Sequence, residues 1–204
     1  MSTRYPIPAG EGRAEFTEKN SVFIGTAGPA ASLEEAHAFI ERVSAEYADA
    51  NHNAWAYLIG FGPHAVYASN NAGEPGGTAG PPALAALQGS GLGDVAVVVT
   101  RYFGGIKLGT GGLARAYGRA AREAVAALPR GERVERTRLA VAIDYRFHDA
   151  VRRLLEPHEA GLLHAGYEAE VTFQIEIPVD QVAGFRAAVT EATAGQAEIE
   201  EAAV

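Results

Sequence analysis

The spacing of apolar and polar positions divides the first half of the chain into strands joined by turns. Val95 to Thr100 is an uninterrupted apolar and β-branched run, which is typical of a strand covered on both faces. Residues 13–26 predict one or two strands, broken near Lys19 and Asn20. Ala54 to Phe61 and His64 to Asn70 predict a hairpin. The polar, proline-bearing residues 1–10 predict an irregular lead-in.

Three helices are predicted in the same half from start signals and periodicity. Ser32 can cap a helix that runs to about Asp49, with Glu35 at capping-box spacing. Pro81 and Pro82 can open a short helix, because proline is tolerated in a first turn. A longer helix is expected from about Gly111 to Leu128.

The second half has a different pattern. Pro129 to Arg133 is polar and contains glycine, which favours a boundary between domains. Beyond it, we predict the order strand, helix, strand, strand, helix, strand: Arg138–Tyr145, Phe147–Glu156, Gly161–Ala165, Glu168–Ile177, 180–193 and Ala197–Glu201. This order predicts a ferredoxin-like βαββαβ domain. The sequence therefore predicts an α+β protein with two domains, residues 1–130 and 134–204.

Thirteen of the 24 glycines fall between Gly73 and Gly118 and form two loops, residues 73–80 and 104–112. The second loop matches neither the nucleotide-binding P-loop nor the dinucleotide fingerprint, because Lys107 is followed by Leu108 and Ala114 stands where a glycine is needed. A glycine-rich turn before a helix can still bind an anion through its backbone N–H groups. Tight packing of helix against sheet is the alternative, and the sequence leaves both open.

Charge and composition narrow the function classes. The net charge of −8 argues against general attraction to nucleic acid, yet residues 101–138 hold nine bases and three acids. That segment could meet a phosphate backbone locally. The chain has no cysteine, no metal-ligand histidine spacing and no run long enough to span a membrane, so we expect a cytoplasmic protein without metal or cofactor.

Arg101 is the most informative charge, because a guanidinium at the exit of a buried strand is costly unless it is paired. Glu74 in the first glycine loop is its expected partner, with direct ligand contact as the alternative. Lys107 has no evident partner and is expected to be exposed. His52 could join a carboxylate in acid–base chemistry, but a structural histidine is the commoner role. Thr78 belongs to the same first loop.

The remaining candidates are basic or aromatic. Arg115, Arg119 and Arg122 recur at helical spacing and form either a solvated face or a row of phosphate contacts. Tyr102, next to Arg101, could stack on a base, although hydrophobic anchoring is the commoner role. The glycines that could shape a loop or a ligand site are Gly104, Gly105, Gly109, Gly111 and Gly112.

Two long motifs now identify a resemblance. Gly73-Glu-Pro-Gly-Gly-Thr-Ala-Gly80 and Val97-Val-Val-Thr-Arg-Tyr-Phe-Gly-Gly-Ile-Lys-Leu-Gly-Thr-Gly-Gly-Leu-Ala-Arg-Ala-Tyr117 closely resemble the Impact family, in its bacterial YigZ branch. The likeness covers roughly residues 5–130. It implies an N-terminal domain similar to domain IV of elongation factor G and a ferredoxin-like second domain similar to its domain V.

The resemblance also implies a non-enzymatic role near translation. Eukaryotic relatives bind a ribosome-associated activator and restrain a stress-responsive kinase, and for a bacterial chain it implies contact with RNA, the ribosome or a translation-related protein. One departure matters: the family usually has two aspartates where this chain has Asn71 and Ala72, so a carboxylate or metal site there would be incomplete. The competing hypothesis is an enzyme or sensor for a small phosphorylated metabolite held by loops 73–80 and 104–112.

Overall fold

A computed structural model describes residues 3–202, which divide into two compact units between Arg133 and Val134. Both units mix helices and strands, so the predicted α+β class and the two-domain organisation are confirmed. The predicted domain bounds, 1–130 and 134–204, stay a prediction, and their outer ends lie outside the described residues.

The first unit is built on a five-stranded antiparallel sheet with β6 at its centre. The strand order is β2-β3-β6-β4-β5. The helices and strands of this unit are β1 (Arg4–Pro8), β2 (Gly12–Glu18), β3 (Ser21–Pro29), α1 (Leu33–Glu46), β4 (His52–Ile59), β5 (Val66–Asn70), α2 (Gly80–Gln88), β6 (Val95–Tyr102), α3 (Thr110–Ala126) and β7 (Arg130–Val134).

Strand β6 is buried on both faces, as its apolar run predicts. Val95, Val97 and Val99 pack into a core with α2 and α3, whereas Ala96 and Val98 pack into a second core with α1. Because successive side chains of a strand point to opposite faces, one continuous apolar run serves both cores. The sheet is antiparallel, although covering on both faces is more typical of parallel sheets.

Local start and turn signals are confirmed in this unit. The Ser32 Oγ accepts the Glu35 N–H at 3.1 Å, and the Glu35 carboxylate reaches back to the Ala31 N–H at 2.8 Å. Lys19 and Asn20 have φ of 45° and 63°, the left-handed conformation that suits a tight hairpin turn between β2 and β3.

One of our predictions is wrong at the start of this unit. Arg4–Pro8, expected to be irregular, is strand β1, and it pairs in a ribbon with β7 (Arg130–Val134), which overlaps the stretch where a domain boundary is expected. Asp94 fixes that ribbon to the rest of the unit, since its carboxylate accepts the Tyr5 hydroxyl at 2.9 Å and Arg133 at 2.7 Å. The lead-in residues Met1 and Ser2 lie outside the described residues.

The second unit has the predicted ferredoxin-like topology. Its elements are β8 (Arg136–Ile143), α4 (His148–Arg152), β9 (Gly161–Tyr167), β10 (Val171–Pro178), α5 (Val182–Ala192) and β11 (Glu198–Glu201). The antiparallel order β11-β8-β10-β9 is that of the βαββαβ fold. Every second residue of β8 and β10 enters one core with the helices. Helix α4 is shorter than the predicted helix at 147–156, because Pro157 and two 3₁₀ turns interrupt it.

Candidate functional site

The two glycine loops meet at the start of α3, beside the first residue of β4 and the last residues of β6. There they enclose a pocket of about 430 Å³. We call it the glycine-loop pocket, and it is lined by Asn51, His52, Glu74, Pro75, Arg101, Phe103, Lys107, Leu108, Gly109, Thr110 and Leu113. Strand β6 delivers Arg101, β4 delivers His52, and the loop after β5 delivers Glu74.

Glu74 is the buried acceptor at this pocket. One carboxylate oxygen, Oε1, accepts Arg101 Nη1 at 2.6 Å and the Tyr117 hydroxyl at 2.8 Å. Burial, and then the neighbouring Glu74 charge, raises the pKa of Tyr117 far above its ordinary value, so the phenol stays a donor. The ion pair between Arg101 and Glu74 expected from the sequence is therefore present, and it ties the first glycine loop to β6 and α3.

Arg101 is buried, with several contacts around its guanidinium. Its Nη2 lies 3.4 Å from Ser21 Oγ, and the guanidinium carbon lies 5.5 Å from the Phe23 ring centre and 5.3 Å from that of Phe103. Its Nε has no hydrogen-bond partner in the described part of the chain. Such a side chain cannot act as a freely exposed phosphate contact.

His52 stands at the start of β4, opposite Arg101 in the sheet register. Its Nδ1 lies 2.8 Å from the Ala72 carbonyl oxygen, so this nitrogen carries a proton and donates it. Its Nε2 is 3.8 Å from Glu74 Oε1, which is too long for a hydrogen bond. The ring is thus oriented by the backbone of the first glycine loop, with Nε2 on the side of Glu74.

The first glycine loop is held by its own polar side chains. Thr78 is buried and donates its hydroxyl to the Pro75 carbonyl oxygen at 2.7 Å. Asn71 Oδ1 accepts the N–H groups of Ala79 and Gly80 at 3.1 and 3.0 Å, where α2 begins. Asn71 therefore caps the start of α2, a role that the sequence pattern did not predict.

The glycines of the second loop have different structural roles. A Cβ on Gly104 would lie 2.0 Å from the backbone of Asn20, so this glycine permits close packing, and its N–H donates to Ser21 Oγ at 3.2 Å. Gly109 has a φ of 73° and occupies the N-cap position of α3. Gly105 lies in the exposed part of the loop, while Gly111 and Gly112 lie in the first turn of α3.

The six predicted nucleic-acid or anion contacts fall into three settings. Arg101 and Lys107 line the glycine-loop pocket, with Lys107 exposed. Tyr102 donates its hydroxyl to Asp49 Oδ1 at 2.7 Å, which raises the pKa of Tyr102 to about 12. Exposed positions along α3 carry Arg115, Arg119 and Arg122.

These three arginines differ in their partners. Arg119 pairs with Glu123 at 2.7 Å and lies over the Phe16 ring at 4.0 Å. Arg115 and Arg122 make no ion pair with any residue between 3 and 202. Arg122 borders a second pocket together with Arg130.

Among residues 3–202, no group of three or more histidine or acidic side chains is arranged to hold a metal ion. Within the same range, no helix has both the length and the apolar character that a membrane crossing requires.

Comparison with known proteins identifies the family. The Impact N-terminal domain matches residues 19–125, and a domain of unknown function, DUF1949, matches residues 141–196. An IMPACT family member from Haemophilus influenzae is 36% identical over 94% of this chain and 94% of its own length. The IMPACT family member YigZ from Escherichia coli is 34% identical over 95% of each chain.

A solved structure supports the same assignment. A crystal structure described as that of a hypothetical protein is 32% identical and covers 100% of this chain and 99% of its own, with a TM-score of 0.67. This chain belongs to the Impact family, and the resemblance drawn from its two motifs is confirmed.

Proposed function

We propose that the protein is a non-enzymatic, translation-associated protein that contacts RNA or the ribosome and modulates translation under stress. Membership of the Impact family suggests a translation-related regulatory role. Contact with the translation machinery would place the protein in the cytoplasm. A translation-related protein partner is compatible with the same role.

The exposed row of arginines on α3 is the observation that carries the proposal. Arg115, Arg119 and Arg122 recur at i, i+4 and i+7, so they share one helix face, and all three are exposed. Exposed guanidinium groups on a rigid helix can contact successive phosphates of a nucleic-acid backbone and release counterions. In contrast, the net charge of −8 disfavours binding elsewhere on the molecule.

Salt-dependent binding tests this proposal. Fluorescence anisotropy with a short single-stranded RNA, and sedimentation with purified ribosomes, should both show binding that weakens as salt rises. Replacing Arg115, Arg119 and Arg122 by Glu should abolish it. A milder variant with Gln at the three positions should flatten the slope of log affinity against log salt by about 2.

A matched control separates local contact from total charge. Arg146, Arg152 and Arg153 are also exposed but lie in the second unit, and their replacement by Glu makes the same change in net charge. That variant should bind RNA like the wild type. Equal loss in both triple variants would show only general electrostatics, and no binding at low salt would contradict the proposal outright.

A further inference from the structure

The glycine-loop pocket has the features of a site for a small anionic ligand. Its volume of about 430 Å³ lies within the range of small-molecule sites, which are usually a few hundred to 1,000 Å³. The pocket combines charged groups with apolar side chains, so it can bind a molecule with one charged and one apolar part. The apolar contributors are Pro75, Phe103, Leu108 and Leu113.

The charges at the pocket favour an anion. Arg101 and Lys107 contribute two positive charges, and Glu74 contributes one negative charge. Glu74 Oε1 accepts both Arg101 and Tyr117, so the charges of Arg101 and Glu74 largely offset each other and the net positive charge at the pocket is that of Lys107. Lys107 is exposed and makes no ion pair with any described residue, which leaves its ammonium group available.

The start of α3 adds backbone donors at the same place. Gly109 and Thr110 line the pocket, and Gly109 is the N-cap of this 17-residue helix. No side chain caps the helix start, and its first turn has no acidic residue. The first N–H groups of a helix need acceptors, and the positive end of the helix dipole attracts a negative charge.

Arg101 supplies a second, independent observation. Its side chain lines the pocket but is 6% exposed, and its Nε is one of two buried side-chain polar atoms without a hydrogen-bond partner in residues 3–202. An unsatisfied donor on a buried cation is costly, since a guanidinium can supply five hydrogen bonds. The ion pair with Glu74 therefore leaves one buried donor of this side chain without an acceptor.

We propose that the glycine-loop pocket binds a small phosphomonoester whose organic part is apolar or aromatic, such as a mononucleotide. The phosphate would lie at the start of α3, bound by the backbone N–H groups of the first turn and by Lys107, with Arg101 behind it. The Phe103 ring, 45% exposed beside the pocket, gives the organic part an apolar surface. Arg115, Arg119 and Arg122 do not line this pocket, although Arg115 Nη1 lies close to Gly111 in the first turn of α3.

Isothermal titration calorimetry with three probes tests the ligand class. Adenosine 5′-monophosphate should bind, adenosine should bind at least about tenfold more weakly, and inorganic phosphate should compete with the nucleotide. Thermal melts should show a larger rise in Tm with the nucleotide than with the same concentration of adenosine. The absence of nucleotide binding at millimolar concentration would overturn the proposal, and so would equal affinity for adenosine.

One variant at the start of α3, with a matched control on β2, tests where the ligand binds without unfolding the protein. Thr110→Asp places a carboxylate in the first turn of α3, which stabilises the helix but occupies the place of the anion. It should abolish nucleotide binding while the Tm of the free protein stays the same or rises. Thr17→Asp makes the same change at an exposed position of β2 and should bind normally.

Lys107→Ala should weaken nucleotide binding about tenfold, whereas Lys19→Ala removes the other lysine of the chain and should leave binding unchanged. Wild-type affinity in both Thr110→Asp and Lys107→Ala would contradict the proposal. The double Arg119/Arg122→Glu variant, which leaves Arg115 beside the first turn of α3 unchanged, should weaken RNA binding but keep the nucleotide, so failure of either proposal can be distinguished from failure of the other.

Discussion

Two arginine–glutamate pairs of nearly equal length lie in opposite surroundings in this protein. Arg101 Nη1 is 2.6 Å from Glu74 Oε1, with the two side chains 6% and 4% exposed. Arg119 Nε is 2.7 Å from Glu123 Oε1, with exposures of 49% and 40%. The comparison teaches that distance alone does not determine what an ion pair contributes, because water screens the exposed second pair far more than the buried first pair.

Burial makes the first pair a strong constraint rather than a strong net source of stability. Removing both charges from water costs several kcal/mol each, which their attraction and hydrogen bonds offset. Removing either partner from the folded protein strongly lowers the free energy of unfolding, because the other partner would remain as an unpaired buried charge. The exposed pair has no such dependence, since each side chain can return to water.

The largest expected effect comes from removing Glu74. Glu74→Ala leaves Arg101 buried without a counter-charge and Tyr117 without its acceptor, so the free energy of unfolding should fall by about 3–5 kcal/mol. Urea denaturation followed by circular dichroism measures the change. The double variant Glu74→Leu with Arg101→Met should be less destabilised than Glu74→Ala, because no buried charge remains. A double variant at least as unstable as the single one would count against this explanation.

The mixed pair of Asp94 and Arg133 should give an intermediate effect. Asp94 is 5% exposed while Arg133 is 51% exposed, and the aspartate also accepts the Gly60 N–H at 2.8 Å. Asp94→Ala leaves the part-buried donors of Tyr5 and Gly60 without this acceptor and places alanine at a φ of 52°, so we expect a loss of about 2–3 kcal/mol. Asp94→Asn keeps an acceptor and should lose less. Equal losses in the two variants would show that the charge, not the hydrogen bonds, carries the effect.

Alkaline pH should reveal the buried phenol of Tyr117. Its pKa is raised in the folded protein, so the unfolded chain releases this proton first, near the ordinary tyrosine pKa of about 10. The stabilisation is complete below that pH and is lost as pH rises above it, by about 1.4 kcal/mol per pH unit. Tyr117→Phe should show a smaller fall in the free energy of unfolding between pH 10 and 11. A parallel fall in both proteins would refute this assignment.

The smallest effect is expected at the exposed pair. Glu123→Ala should lower the free energy of unfolding by no more than about 0.5 kcal/mol, and high salt should remove most of that difference. Arg119→Ala should cost somewhat more, because it also removes the contact with the Phe16 ring. If Glu123→Ala cost as much as Glu74→Ala, burial would not be the variable that separates the two pairs.

Much of the fold could be predicted because its signals are local. The apolar run of β6, the Ser32 cap and the alternation in β10 each depend on residues close together in the chain. Strands β1 and β7 could not be predicted from the sequence. They pair with each other across more than 120 residues of chain, and neither has a regular apolar alternation. Tertiary pairing, rather than local preference, makes them strands.

The candidate site also has one part that the sequence could predict and one part that it could not. The cost of burying Arg101 predicts a carboxylate partner, and the glycine loops limit the choice to Glu74. Tyr117 and Ser21 were missed because their contribution depends on α3 and β3 converging on that pair. No local motif marks a tyrosine in a helix as a donor to a loop glutamate.

The central position of β6 has a consequence for how the chain is made. Strands β3 and β4 do not pair with each other, since each borders β6, so the hairpins β2–β3 and β4–β5 cannot join into one sheet before residues 95–102 leave the ribosome. Contacts between strands that are distant in the chain form slowly. Until β6 is in place, the two hairpins expose unpaired strand edges, which can associate with other chains. Pulsed hydrogen exchange during refolding should therefore show the β3 and β4 amides that face β6 gaining protection in one step.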